Sequence, residues 1–145
     1  MYCTRTDLTA YILEDYLTAA DNQTEGTVAT AIANVEAEMT EALVSGGYTV
    51  TEDSVPATVK RVCSVIAAYN SVCAITSLVS SETSSDNEFL PLQRKAERAE
   101  KVMAQIREGK IRLAAPAAET SQPNDTVVVI SPPSRFKSPK GWGRF

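Results

Sequence analysis

The sequence predicts an all-α fold, a small bundle of about four helices carrying an extended C-terminal arm with one short β-strand. Three observations predict it. Apolar residues recur at spacings of three and four through most of residues 1–111. Glycine and proline fall at the edges of those periodic stretches, as helix stops and starts. Past Ile111 the period vanishes, and five of the seven prolines lie beyond it. With 145 residues and 43% apolar content the chain buries one core, so two parts are expected: a helical bundle domain over 1–111 and a Pro-rich docking arm over 112–145.

The first helix is expected from Thr6 to about Ala20, with Thr6 as N-cap, Asp7 in the first turn, and Leu8, Ile12, Tyr16 and Ala19 on one face. After the polar break DNQTEG comes the clearest amphipathic pattern, Val28, Ile32, Val35, Met39 and Leu43, halted by Gly46 and Gly47. Glu36, Glu38 and Glu41 fall on its other side, which reads as a solvated face. A third helix begins near Ser54 with Pro56 in its first turn and runs to about Leu78, on the order of 37 Å. Val59, Val62, Cys63, Ile66, Ala67, Tyr69, Val72, Cys73 and Ile75 cover more than half its circumference, so it is expected to be the longest element and the centre of the bundle.

The fourth helix starts near Pro91 and ends at Gly109. Leu92, Ala96, Ala99, Val102, Met103 and Ile106 face inward, Arg94, Lys95, Arg98 and Lys101 face out, and Glu97 is placed to pair with Lys101. These basic residues are interrupted by Glu97, Glu100 and Glu108 and have no interleaved aromatics for base stacking, which favours a solvated face over a nucleic-acid site. Beyond Ile111 only Thr126–Ile130 (TVVVI) reads as a strand, and it needs an edge outside the arm to pair with. The terminus RFKSPKGWGRF sets three large aromatics among four cations, a composition typical of interface cores. The arm is therefore expected to be disordered in the free chain and to order on a partner. Its partner-binding residues are expected to be Val127, Val129, Arg135, Phe136, Lys137, Lys140, Trp142, Arg144 and Phe145.

The sequence contains no histidine, which removes the commonest general base and transition-metal ligand. Cys63 and Cys73, ten residues and roughly 15 Å apart along one helix, are too far apart for a disulfide, and the cysteines read as buried reduced thiols. No glycine-rich phosphate loop is present, and carboxylates fall on helix exteriors with no partner at useful spacing. The reading is of a protein that is not an enzyme and takes no cofactor or metal. No apolar run reaches the ~18 residues a membrane span needs, and the N-terminus lacks the order of a signal peptide, so a protein made in a cytoplasm, without a membrane partner, is expected. The net charge of −4 conceals a gradient: residues 1–55 hold ten acidic residues and one basic, whereas residues 112–145 hold five basic and two acidic.

The opening MYCTRTDL, the helix VATAIANVEAEMTEALVSGGY, the segment VPATVKRVCSVIAAYNSV and the closing MAQIREGKIRL follow in order the pattern of a known family. Over about residues 1–113 the chain resembles the small virion proteins of Mu-like phages and prophages. It departs from them at GGYTVTEDSVP, where members commonly have Tyr-x-Leu-Pro-Leu, and in lacking an arginine after Tyr69.

The resemblance implies a head-to-tail connector, also called an adaptor or head-completion protein, of a tailed bacteriophage. It implies a ring of copies of the chain itself, twelve by analogy with the dodecameric portal above it, with the arm reaching into the portal protein and the next neck or tail protein as a further partner. Packaged DNA would pass through without sequence-specific binding. Localisation would be the virion neck, after assembly in the host cytoplasm. Two other readings stand beside it: a lower neck or tail-terminator component, and a small helical nucleic-acid-binding protein. The acidic pI of about 4.9 and the lack of a helix-turn-helix signature weigh against the last.

Overall fold

A computed structural model describes residues 1–75 and 88–113, and among these every regular element is helical. The order is α1 (Arg5–Leu8), α2 (Glu14–Gln23), α3 (Thr27–Ser45), α4 (Ala57–Cys73) and α5 (Leu90–Arg107). The expected strand Thr126–Ile130 lies outside the described residues.

The single first helix of the sequence reading is two. Thr4, rather than Thr6, caps α1: its N–H and its hydroxyl both donate to Asp7 Oδ2 at 2.8 Å. The chain then breaks over residues 9–13, and α2 starts with Glu14 and Asp15 in its first turn, where the helix dipole favours carboxylates. The break corrects a phase error. Ile12 and Leu17 are both buried, yet five residues apart on one helix they would point in different directions. Restarting the helix brings Leu17 and Ala20 to the core and leaves Tyr16 and Ala19 half-buried at its edge.

α3 keeps the predicted pattern, with Val28, Val35, Met39 and Leu43 buried, joined by Ala31 and Ala42, while Ile32 is half-buried. Glu36 is not on a solvated face. Its Oε1 accepts the backbone N–H groups of Tyr2 at 2.5 Å and Cys3 at 3.3 Å, holding the N-terminal segment against the bundle so that Cys3 can be buried.

α4 is central as predicted, packing against α1, α2, α3 and α5. It is not the longest element: it has 17 residues to the 19 of α3, and Ala74 is its C-cap, so the expected extension to Leu78 ends early. Its burial extends all round, including two serines that stay satisfied because Ser64 Oγ donates to the Lys60 carbonyl (2.8 Å) and Ser71 Oγ to the Ala67 carbonyl (2.7 Å). Tyr69 and Cys73, expected inside, are only partly covered.

α5 buries Leu92, Ala96, Ala99, Met103 and Ile106. Glu97 does not pair with Lys101; it accepts from Gln93 Nε2 at 3.4 Å. The α3 and α5 C-termini meet at glycines. A Cβ at Gly46 would overlap the Ile106 carbonyl oxygen and lie 2.6 Å from a Tyr48 ring carbon, while Gly109, at φ +68°, approaches the Gly46 carbonyl. Tyr48 donates its hydroxyl proton to the Ile111 carbonyl across the same joint.

Candidate functional site

The nine residues expected to bind partners, Val127, Val129, Arg135, Phe136, Lys137, Lys140, Trp142, Arg144 and Phe145, all lie outside the described residues. Two surfaces of the bundle stand out instead, neither of them marked as a site by any sequence motif.

The first is a groove of about 310 Å³ where α4, α5 and the α1–α2 connection meet. Its floor is apolar, made by Tyr11, Val62, Val65, Ala99 and Val102, and its rim carries Arg61, Lys95 and Arg98. Lys95 Nζ lies 5.8 Å from the centre of the Tyr11 ring, within cation–π range. None of the three cations pairs with a carboxylate among the described residues. Beside it, sharing Tyr11 and Lys95, lies a shallower depression of about 280 Å³ bounded by Leu13, Tyr16, Phe89 and Leu92. Tyr16 and Phe89 meet edge to face with ring centres 5.1 Å apart, and the Tyr16 hydroxyl donates to Glu88. Leu13 is 67% exposed there.

The groove is at the lower edge of the ~300–1,000 Å³ usual for small-molecule sites, but its polar groups stand at the rim rather than converging inside. That arrangement suits a side chain or helix laid across it better than an enclosed ligand.

The second surface is the outer face of α3. Ala33, Asn34, Ala37, Glu38, Glu41 and Val44 are all exposed, and Val44 is 73% so, among the most exposed large apolar side chains described. Glu38 and Glu41 form no ion pair among the described residues. The acidity of the N-terminal part is left uncompensated because its one cation is already engaged. Arg5 reaches Glu14 Oε1 at 2.7 Å and Asp21 Oδ2 at 2.5 Å, tying α1 to α2. Asp21 Oδ1 also accepts the Val28 N–H at 3.0 Å at the start of α3, and this backbone bond, with Arg5, lowers its pKa. Burial works to raise the Asp7 carboxyl, but Lys60 at 3.0 Å and the Thr4 donors outweigh it and hold its pKa below the usual value.

Cys3 and Cys63 offer no reactive thiolate. Burial, reinforced by Glu36 and Asp7, pushes the Cys3 thiol up to about 11, and burial pushes Cys63 higher still. No helix among the described residues is long and apolar enough to cross a membrane.

A family model described as Bacteriophage Mu, Gp36 matches residues 2–131. The match takes in the whole described bundle and continues through Val127 and Val129, stopping before Arg135 and the aromatic terminus. Comparison with curated proteins and with solved structures found no match.

Proposed function

The chain belongs to the Bacteriophage Mu, Gp36 family, and from that premise we propose that it is the head-to-tail connector of a tailed phage: a non-enzymatic protein, ringed beneath the portal in about twelve copies, joining the DNA-filled head to the tail. The observation that carries the reading is the family match across 130 residues, the bundle and the first part of the arm. The surface of the bundle supports it. Glu38 and Glu41 on α3 and the groove cations Arg61, Lys95 and Arg98 form no ion pair among the described residues, which suits a protein completed by neighbours. Acidic residues with no ion pair among the described residues, such as Asp15, Glu25 and Asp53, would repel phosphate and let DNA slide through a channel lined by them.

The arm supplies the contact with the portal. Trp142 and Phe145 act as anchors, Arg135, Lys137, Lys140 and Arg144 meet acidic groups, Phe136 adds apolar area, and Val127 and Val129 lie along a strand added to a partner's sheet edge. The protein resides in the virion neck, above the next neck or tail component, after assembly in the host cytoplasm.

The test is binding of the full chain to isolated portal, followed by fluorescence of Trp142, the chain's one tryptophan. A blue shift on the full chain and loss of binding after truncation following Leu113 are expected. Undiminished portal binding by the truncated protein would remove the arm from the account. Particles holding the chain at the distal side of the neck, away from the portal, would make it a lower neck or tail-terminator component instead.

A further inference from the structure

Resting on the ring reading above, we infer that the basic groove of one copy receives the outer face of α3 from the next copy, with Val44 in the groove and Glu38 and Glu41 against Arg61, Lys95 and Arg98. The groove calls for an occupant with both an apolar element and negative charge. Its floor is Tyr11, Val62, Val65, Ala99 and Val102, and its three rim cations have no carboxylate among the described residues.

The chain's own arm is a poor candidate, since residues 112–145 hold five basic residues against two acidic ones, and from Ser131 onward there are four positive charges and no negative one. DNA phosphate would meet the cations but leave the apolar floor without a partner. The outer face of α3 meets both needs. Ala37, Glu41 and Val44 stand at i, i+4 and i+7 on one stripe, the spacing by which a helix lays itself into a groove, with Glu38 alongside. Ala33 and Ala37 keep that face low, so the helix can approach closely.

Geometry makes the pairing intermolecular. α3 packs on α4 and α5 through Val35, Met39 and Leu43, so its exposed face points away from the groove that α4 and α5 form. One copy cannot satisfy itself. A contact between two different faces is heterologous, the kind that closes into a ring when the rotation per copy is a whole fraction of a turn.

The test places a photo-crosslinking amino acid at position 44 of the full chain, assembles it into phage particles, and maps the products. The expected product joins position 44 of one copy to peptides around Val65 or Val102 of another, the two copies being told apart by isotope labelling. Glu41→Lys and Arg98→Glu, each alone, are expected to lower incorporation into particles at least tenfold, and the two together in one chain to restore it. Several copies per particle with position 44 joined elsewhere, or no rescue by the double substitution, would overturn the pairing while leaving the connector standing. A second probe at position 102 that captures DNA rather than protein would overturn it likewise. A single copy per particle would remove the ring reading, and this inference with it.

Discussion

Gly46 and Gly47 both read from sequence as a helix stop, and replacing each by alanine separates two physical reasons for glycine. Gly46 sits at φ −77°, a conformation any residue adopts, so its backbone needs no glycine. What needs it is space: a Cβ would overlap the Ile106 carbonyl oxygen of α5 and come within 2.6 and 2.9 Å of the Tyr48 ring. The ring can turn aside, but a backbone carbonyl in the last turn of α5 yields only if the helix end moves. That movement also strains the Tyr48–Ile111 hydrogen bond. Overpacking costs about 1–3 kcal/mol and a lost hydrogen bond about 0.5–1.5, so Gly46→Ala is expected to cost about 2–4 kcal/mol. At roughly 4 °C per kcal/mol for a chain of this size, Tm falls by about 8–16 °C.

Gly47 is the opposite case, at φ +78° with open space around its Cβ position. Gly47→Ala is expected to cost only the left-handed penalty of about 1–2 kcal/mol, and Gly47→Asn less, because asparagine tolerates that conformation. Thermal unfolding followed by far-UV circular dichroism measures all three. If Gly46→Ala lowered Tm no more than Gly47→Ala, the close approach of α3 and α5 would be refuted and only the helix stop would remain.

Other expectations follow from the core, the carboxylates, the thiols and the arm. Ile66, 3% exposed at the centre of α4, is expected to cost about 2–5 kcal/mol on truncation to alanine, read by chemical denaturation; unchanged stability would displace α4 from the centre. Asp7 and Asp21 have folded-state pKa values below the ordinary ~3.9, so their contribution is present in full above that value and is lost as pH falls through the lower folded values. Stability curves are expected to be flat above about pH 5 and to decline below about 4, and Asp7→Asn with Asp21→Asn is expected to flatten that decline. Alkylation at mildly basic pH is expected to reach half-exposed Cys73 first, with Cys3 and Cys63 protected by burial and a raised pKa until the protein unfolds; mass spectrometry of the native protein checks it. Trp142→Ala is expected to weaken portal binding by about 2 kcal/mol, the loss typical of an interface hot spot, measured by titration against portal.

What the sequence determined by itself was whatever depends on neighbours three and four residues away. The α3 stripe from Val28 to Leu43, the inward residues of α5 from Leu92 to Ile106, the proline starts at Pro56 and Pro91 and the glycine stops all follow from helix geometry, which is local. The family pattern was legible for the same reason, being made of those core and cap residues in order. Tertiary structure decided the rest. The break between α1 and α2 exists because Ile12 and Leu17 must both reach one core, a demand set by α3 and α4 and not by residues 9–13. Glu36 looked like any exposed glutamate until the N-terminal segment folded back and offered it the N–H groups of Tyr2 and Cys3. The groove joins Tyr11, Arg61 and Arg98, residues far apart in the chain, so no periodicity could mark it. Its uncompensated charge appears only once packing has shown which carboxylates Arg5 and Lys60 engage, leaving Glu38 and Glu41 on one side of the bundle and three cations on another.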